Sequence, residues 1–201
     1  FDVLSASMND DKIAWYENDS SGSFTEHIIS TSADSATTVR AVDLNGNGYI
    51  DVLSSSKNDN KIAWYENDGS QGFTEHIISD SAGGARYVLA SDVNSDGNMD
   101  VLSASQIDNK IAFYENDGSE NFTEHLISDS VMGAMKVCVA DMDNDGDKDI
   151  ISAGYSGEIA WYENDMLNGL SMSGVLLDDT LAGIHNGKVS LLELSLTNVA
   201  A

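Results

Sequence analysis

Three nine-residue segments place oxygen-bearing side chains in one alternating pattern. They are Asp43-Leu44-Asn45-Gly46-Asn47-Gly48-Tyr49-Ile50-Asp51, Asp92-Val93-Asn94-Ser95-Asp96-Gly97-Asn98-Met99-Asp100 and Asp141-Met142-Asp143-Asn144-Asp145-Gly146-Asp147-Lys148-Asp149. Positions 1, 3, 5 and 9 are Asp or Asn in all three, and position 6 is always glycine, as a sharp turn requires. Alternating oxygens on a tight loop can converge on one hard cation, and calcium takes six to eight such ligands at about 2.3–2.6 Å. Position 7 (Tyr49, Asn98 or Asp147) varies in side chain, as expected where the backbone carbonyl is the ligand. Zinc wants Cys or His, which the loops lack, and magnesium demands near-octahedral geometry with retained water, so calcium at about three sites is the expectation. The third loop has five acids and is expected to bind tightest. The first, with only Asp43 and Asp51, is expected to bind weakest.

An EF-hand shares this pattern through position 7 but needs a bidentate Glu at position 12, where the chain has Ser54, Ser103 and Ser152. It also needs flanking helices, and the flanks here read as strands. Ordinary turns favour the same Asp, Asn and Gly residues, yet the threefold recurrence of one four-position pattern points to metal rather than to turn chemistry alone. The expected role is structural, neutralising a carboxylate cluster and fixing a turn, with an affinity on the order of 10⁻⁴–10⁻³ M for an extracellular module.

The elements that must position these loops are repeated with them. KIAWYEND occupies 12–19 and 61–68, and returns as KIAFYEND at 110–117 and EIAWYEND at 158–165. The tyrosines Tyr16, Tyr65, Tyr114 and Tyr162 are therefore spaced by 49, 49 and 48 residues. FTEHIIS begins at Phe24 and Phe73, and FTEHLIS at Phe122. Each copy reads as four short strands, in one copy Asp51-Val52-Leu53, 61–67, 73–79 and 86–93. Asn58-Asp59-Asn60 and Asn67-Asp68-Gly69 make tight reversals between antiparallel neighbours.

In the IAWY core Ile62 and Trp64 face one way, Ala63 and Tyr65 the other, so both faces of the sheet must be covered. A sandwich covers one face of each sheet, whereas a β-propeller blade is covered on both by its neighbours. The expected fold is all-β, with about four propeller blades of four antiparallel strands. Known propellers span roughly four to eight blades, so an arc of four is expected to close with further sequence or against a second copy. The chain is read as repeats over 1–165 and a divergent tail or degenerate closing blade over 166–201, where His185-Asn186-Gly187-Lys188 could form a hairpin. Asp2-Val3-Leu4-Ser5-Ala6-Ser7 matches 100–105, so the chain opens on the ninth position of a loop and reads as a piece of something longer.

Composition sets outer limits. Thirty-four acids against nine Lys and Arg give a formal charge of -25, which argues against nucleic acid or anionic lipid as partner and for cations. No apolar run reaches the ~20 residues of a membrane span. Cys138, the single cysteine, excludes an internal disulfide and is expected as a buried strand residue within Val137-Cys138-Val139.

The loop, the strand that follows it, IAWYEND and F-x-x-H-x-I, all in register over residues 2–165, resemble the FG-GAP/VCBS repeats of integrin-α-like propellers. That resemblance implies a seven- or eight-bladed propeller, secreted or at the cell surface, with calcium between the first two strands of a blade at Asp43, Asn45, Asn47, Asp51 and their counterparts. The Phe-Gly and Gly-Ala-Pro signatures are absent and the chain has no proline, which places it nearer the VCBS branch than integrins proper.

The function expected is a non-catalytic, calcium-binding module for extracellular adhesion or ligand recognition, with a protein or glycan on one propeller face. The alternative is a carbohydrate-binding propeller attached to, or part of, a sugar lyase or dehydratase. Trp15, Trp64, Phe113 and Trp161 are then candidate stacking platforms, although their shared strand register favours blade packing. His27, His76 and His125 occur once per copy, and a catalytic base should break the repeat rather than follow it. His185 in the tail is the one histidine outside the pattern.

Overall fold

The structure is a computed structural model that describes residues 1–164 and the strand Met172–Leu177. His185 and the hairpin around it lie outside the described residues, as do Asp165–Ser171 and the rest of the tail.

Fifteen strands are described, with no helix among them. They are β1 (Val3–Ser7), β2 (Lys12–Asn18), β3 (Phe24–Ser30), β4 (Ala36–Val42), β5 (Asp51–Ser56), β6 (Lys61–Asn67), β7 (Phe73–Ser79), β8 (Ala85–Ser91), β9 (Asp100–Ser105), β10 (Lys110–Asn116), β11 (Phe122–Ser128), β12 (Ala134–Ala140), β13 (Asp149–Gly154), β14 (Ile159–Asn164) and β15 (Met172–Leu177). They form four antiparallel meanders, β1-β2-β3, β4-β5-β6-β7, β8-β9-β10-β11 and β12-β13-β14-β15. These are the expected propeller-type blades.

The segments match the sequence reading, but the boundary between sheets falls elsewhere. The apolar run after FTEHIIS reads from the sequence as the last strand of its own copy but is the first strand of the next sheet. It pairs across the nine-residue loop, Val42 with Asp51 and Ser91 with Asp100. The nine-residue loop closes β4 on β5 and β8 on β9 as antiparallel neighbours, whereas β7 ends its own sheet as an edge strand. In the fourth sheet β15 takes the place that FTEHIIS holds elsewhere. Asn164 lies opposite Met172 just as Asn67 lies opposite Phe73.

The core sits between sheets. Ile62 and Trp64 join Val88, Val101, Ala112 and Tyr114 of the third sheet, while Ala63 and Tyr65 join Ile13, Ala33, Ala36 and Val52 on the other side. All four residues of this IAWY are at most 1% exposed, so the two-sided burial read from the sequence holds. Leu102, Ile111 and Phe113 repeat the arrangement against Val137, Ile150 and Tyr162 of the fourth sheet. The first strands of successive sheets, β4, β8 and β12, also pack on one another.

Side chains in the turns tie one sheet to the next. Asn60, at φ 57°, accepts the Gly84 N–H at 2.8 Å through its side-chain oxygen, and Asn109, at φ 59°, accepts the Gly133 N–H at 2.8 Å. Asp11 does the same for the Ser35 N–H at 2.9 Å. Asn tolerates the left-handed region that each turn requires and supplies the strut as well.

Cys138 is exposed, contrary to the expectation of burial. Strand alternation turns Val137 into the core, and Cys138 then occupies the position at which Leu89 of β8 packs against the following sheet. No described sheet covers that side of β12.

Candidate metal centre

Each loop joins the first two strands of a sheet, so the three lie at equivalent places on successive blades. Their internal bonding repeats almost atom for atom. The position-1 carboxylate accepts the N–H of the position-6 glycine: Asp43 from Gly48 at 2.9 Å, Asp92 from Gly97 at 3.1 Å and Asp141 from Gly146 at 3.2 Å. The position-5 oxygen accepts the N–H of position 7: Asn47 from Tyr49 at 2.8 Å, Asp96 from Asn98 at 2.8 Å and Asp145 from Asp147 at 3.1 Å. Position 3 likewise accepts from position 5, through Asn45, Asn94 and Asp143. Position-6 glycines have φ between 89° and 101°, with open space where a Cβ would be.

Position 9 behaves differently. Asp51, Asp100 and Asp149 are fully buried, and each holds two backbone groups. One oxygen accepts the N–H of position 2, from Leu44 at 3.0 Å, Val93 at 2.9 Å and Met142 at 2.9 Å. The other accepts the N–H of the asparagine that ends the third strand, Asn67 at 2.8 Å, Asn116 at 3.0 Å and Asn164 at 2.9 Å. Asp2 keeps the second of these bonds, to the Asn18 N–H at 3.0 Å.

The electrostatics favour a cation. Burial pushes the carboxyls of Asp51 and Asp100 up despite the N–H groups they accept. The nearby charges of Asp43 and Glu66 at the first loop, and of Asp96 at the second, push the same way. Asp143 is raised by partial desolvation and by the charges of Asp145 and Asp149. Asp96 is lowered, chiefly by the Asn98 N–H. In the third loop ligand atoms of Asp141, Asp143 and Asp149 lie within 4.8 Å of one another. In the first, Asp43 Oδ1 is buried with no hydrogen-bond partner, an arrangement costly for a carboxylate oxygen unless something positive meets it. Oxygen-only donors, three carboxylates in reach and an orphaned oxygen fit a hard divalent ion.

Of the expected ligands, positions 1, 3 and 9 are the ones drawn together in the third loop. Asp145 and Asp147 lie outside that cluster. Tyr49 is exposed, and its ring lies over Gly69 in the next turn, while Asn98 lies over Gly118 in the equivalent place.

Second-rank partners went unrecognised from sequence. Asn45 Nδ2 donates to Glu66 at 3.2 Å and to Glu120 of the next sheet at 3.3 Å, and Asn94 Nδ2 donates to Glu115 at 3.4 Å. Asn116 and Asn164 donate to the carbonyls of Leu44 and Val93 in the loop one sheet earlier, at 3.4 and 3.2 Å. Their signal was present in the Glu-Asn of every IAWYEN and IAFYEN copy. Between the first two loops, a cleft of about 290 Å³ is lined by Asp43, Asn45, Asn98, Met99, Asn116 and Glu120, among others.

The repeated histidines stack on the aromatic opposite them: His27 on Trp15, His76 on Trp64 and His125 on Phe113, with ring centroids 4.2, 4.5 and 5.6 Å apart. Each Nε2 meets a glutamate of the same sheet, Glu17, Glu66 or Glu115, at 3.1, 3.2 and 2.8 Å. Trp64 and Phe113 are 1% and 0% exposed, so neither is a stacking platform for a sugar. Trp15 and Trp161 are half-buried.

The model of the FG-GAP-like repeat matches the chain three times, over residues 1–54, 43–103 and 92–152. The chain belongs to this repeat family. No curated protein matches it. Among solved structures it is similar to a lectin of Agrocybe aegerita, described for specific recognition of non-reducing terminal N-acetylglucosamine. The TM-score is 0.52 at 19% identity, over 82% of this chain and 50% of the lectin. The chain thus spans half the length of that protein, and the likeness is one of fold. Among the described residues, no helix is long and apolar enough to cross a membrane.

Proposed function

We propose that this chain is a non-catalytic recognition module whose blades are fixed by about three calcium ions, one in each nine-residue loop. The observation that carries this reading is the loop itself: one donor set built three times, ending in a buried aspartate, with Asp43 Oδ1 left without a partner in the first copy. Calcium binds Asp43, Asn45, Asn47, Asp51 and the Tyr49 carbonyl in the first loop, with the counterparts in the second. In the third it binds Asp141, Asp143, Asp145, Asp149 and the Asp147 carbonyl. Such sites stabilise in millimolar calcium, and this favours a secreted or surface-exposed setting within a larger propeller of seven or eight blades.

Ligand recognition is assigned to the loop-bearing edge of the sheets, where the cleft between the first two loops opens. Identical His–Glu–aromatic groups in successive sheets support a structural role for the histidines and speak against a lyase or dehydratase site. Calcium titration by calorimetry tests the reading. About three sites are expected, magnesium competing poorly, and fewer than two or equal magnesium binding would overturn it.

A second reading is favoured by the lectin neighbour, namely that the partner is a glycan. A glycan array including terminal N-acetylglucosamine, run with calcium and with EDTA, separates it from protein adhesion. Calcium-dependent glycan binding supports the lectin reading, and a blank array favours a protein ligand.

A further inference from the structure

We propose that Asn47 is a self-deamidation site, and that its product is the aspartate which the second and third loops already carry at the same position, Asp96 and Asp145. Only the consequence for metal binding rests on the calcium reading; the reaction itself does not.

Among the described residues the two Asn-Gly pairs, Asn45-Gly46 and Asn47-Gly48, both fall in the first loop. At Asn47 the loop assembles the parts of an intramolecular acyl transfer. The nucleophile is the backbone nitrogen of Gly48, whose N–H points at Asp43 Oδ2 at 2.9 Å, a carboxylate placed to take its proton. The electrophile is Asn47 Cγ, whose Oδ1 already receives the Tyr49 N–H at 2.8 Å, a donor aimed where negative charge develops. Gly48 has φ +89° and nothing within 4 Å of where its Cβ would lie, so no side chain obstructs the approach. Asn47 is exposed, open to water.

The step balances without any oxidant or cofactor. The Gly48 nitrogen gives its proton to Asp43 and forms a bond to Asn47 Cγ. The carbonyl electron pair moves onto Oδ1 and returns, the bond from Cγ to Nδ2 breaks, and Nδ2 leaves as ammonia with the proton from Asp43. The five-membered imide that remains adds one water at either carbonyl and opens to aspartate or its isoaspartyl isomer at position 47. Asp96 and Asp145 make the same bond to the N–H of position 7, so the aspartate product fits a loop geometry the fold already uses. It also adds a carboxylate to the loop with the fewest.

Asn45 is the internal control. It too precedes glycine, and its Oδ1 accepts the Asn47 N–H at 3.2 Å. Its leaving nitrogen, however, is held by Glu66 at 3.2 Å and Glu120 at 3.3 Å, the residue is half-buried, and in the described structure no carboxylate receives the Gly46 N–H. Sequence alone therefore predicts similar rates at the two sites, and the structure predicts Asn47 first.

The test follows ammonia loss at each site by mass spectrometry of proteolytic peptides, after incubation of the whole chain near neutral pH in EDTA, in millimolar calcium, and in urea. In EDTA the folded chain should convert Asn47 several-fold faster than Asn45, and in urea the difference should vanish. Asp43→Asn should remove the advantage of Asn47. Equal rates in the folded chain, Asn45 ahead, no conversion at all, or an Asp43→Asn variant that folds and keeps the advantage would each overturn the proposal. Because the first comparison uses the unaltered chain, it decides the matter even where the variant fails to fold. Calcium should slow Asn47 by occupying Asp43 and the Asn47 oxygen. A lead for Asn47 that calcium does not change upholds the deamidation site and counts against the metal reading.

Discussion

Asp100 Oδ1 accepts the backbone N–H of Asn116 at 3.0 Å, joining the end of a nine-residue loop to the end of a strand sixteen residues away. Its other oxygen holds the Val93 N–H at 2.9 Å, and the carboxylate is fully buried. Position 9 is thus a structural acceptor whether or not a cation is bound. An Ala there leaves both buried N–H groups without an acceptor, at a cost of about 1–3 kcal/mol each. Asp100→Ala should lower stability to urea by at least one such penalty even in EDTA. Asp96→Asn, exposed and still able to accept the Asn98 N–H, should change it by less than about 0.5 kcal/mol in EDTA and lose part of the calcium response.

The pH dependence has a defined sign. Burial raises the folded-state carboxyls of Asp51 and Asp100 above the ordinary 3.8, so the native chain holds these protons more tightly than the unfolded one. Without metal, their contribution to stability falls as pH rises from 3.8 through the folded value, and stays low at neutral pH. A bound cation favours the ionised form and reverses this. The calcium-induced gain in Tm should therefore be near zero at the acid end and grow as pH rises through that window, as calorimetry at a series of pH values would show. A gain that is largest at the acid end would contradict it.

Lys61 is buried beside Glu75, whose oxygen accepts from Nζ at 2.8 Å. Burial alone would lower the ammonium, but the hydrogen bond and charge of Glu75 outweigh it and the group sits above its ordinary 10.5. Its stabilising contribution is complete below 10.5 and is lost as pH rises through the folded value. Glu75→Gln should cost about 1 kcal/mol at neutral pH, and the gap to wild type in urea unfolding should close in strong alkali.

Gly69 lies under Tyr49, where an added Cβ would come within 2.5 Å of the ring, and its φ of +74° disfavours any side chain. Gly69→Ala should cost about 1 kcal/mol and, by moving Tyr49, weaken calcium binding at the first loop alone. Terbium luminescence compared with that of Gly118→Ala, which presses on Asn98 in the second loop, would separate the two sites.

Most of the fold could be read from the chain because IAWY carries information on both faces. Ile62 with Trp64, and Ala63 with Tyr65, leave no face for solvent, and only stacked sheets satisfy that pattern. The sheet boundary was harder to see. Strands beginning at Ala36, Ala85 and Ala134 read equally well as the end of one unit or the start of the next, and only hydrogen bonding across the loop decides between them. The alternating oxygens were visible in their spacing, while the backbone N–H groups held by Asp51, Asp100 and Asp149 were not, since those bonds depend on where Asn67, Asn116 and Asn164 arrive in space. Cys138 was misread because strand alternation, not its apolar neighbours, sets which side it faces.

The central claim is that the loops are metal sites that hold the blades. Thermal unfolding of the chain in EDTA, in millimolar calcium and in millimolar magnesium tests it most directly. Ten millimolar calcium is about 10–100 times a dissociation constant of about 10⁻⁴–10⁻³ M and contributes about 1.4–2.7 kcal/mol per site, so three sites should raise Tm by several degrees in calcium and far less in magnesium. An unchanged midpoint in calcium would mean that the three loops are acidic turns held by their own hydrogen bonds.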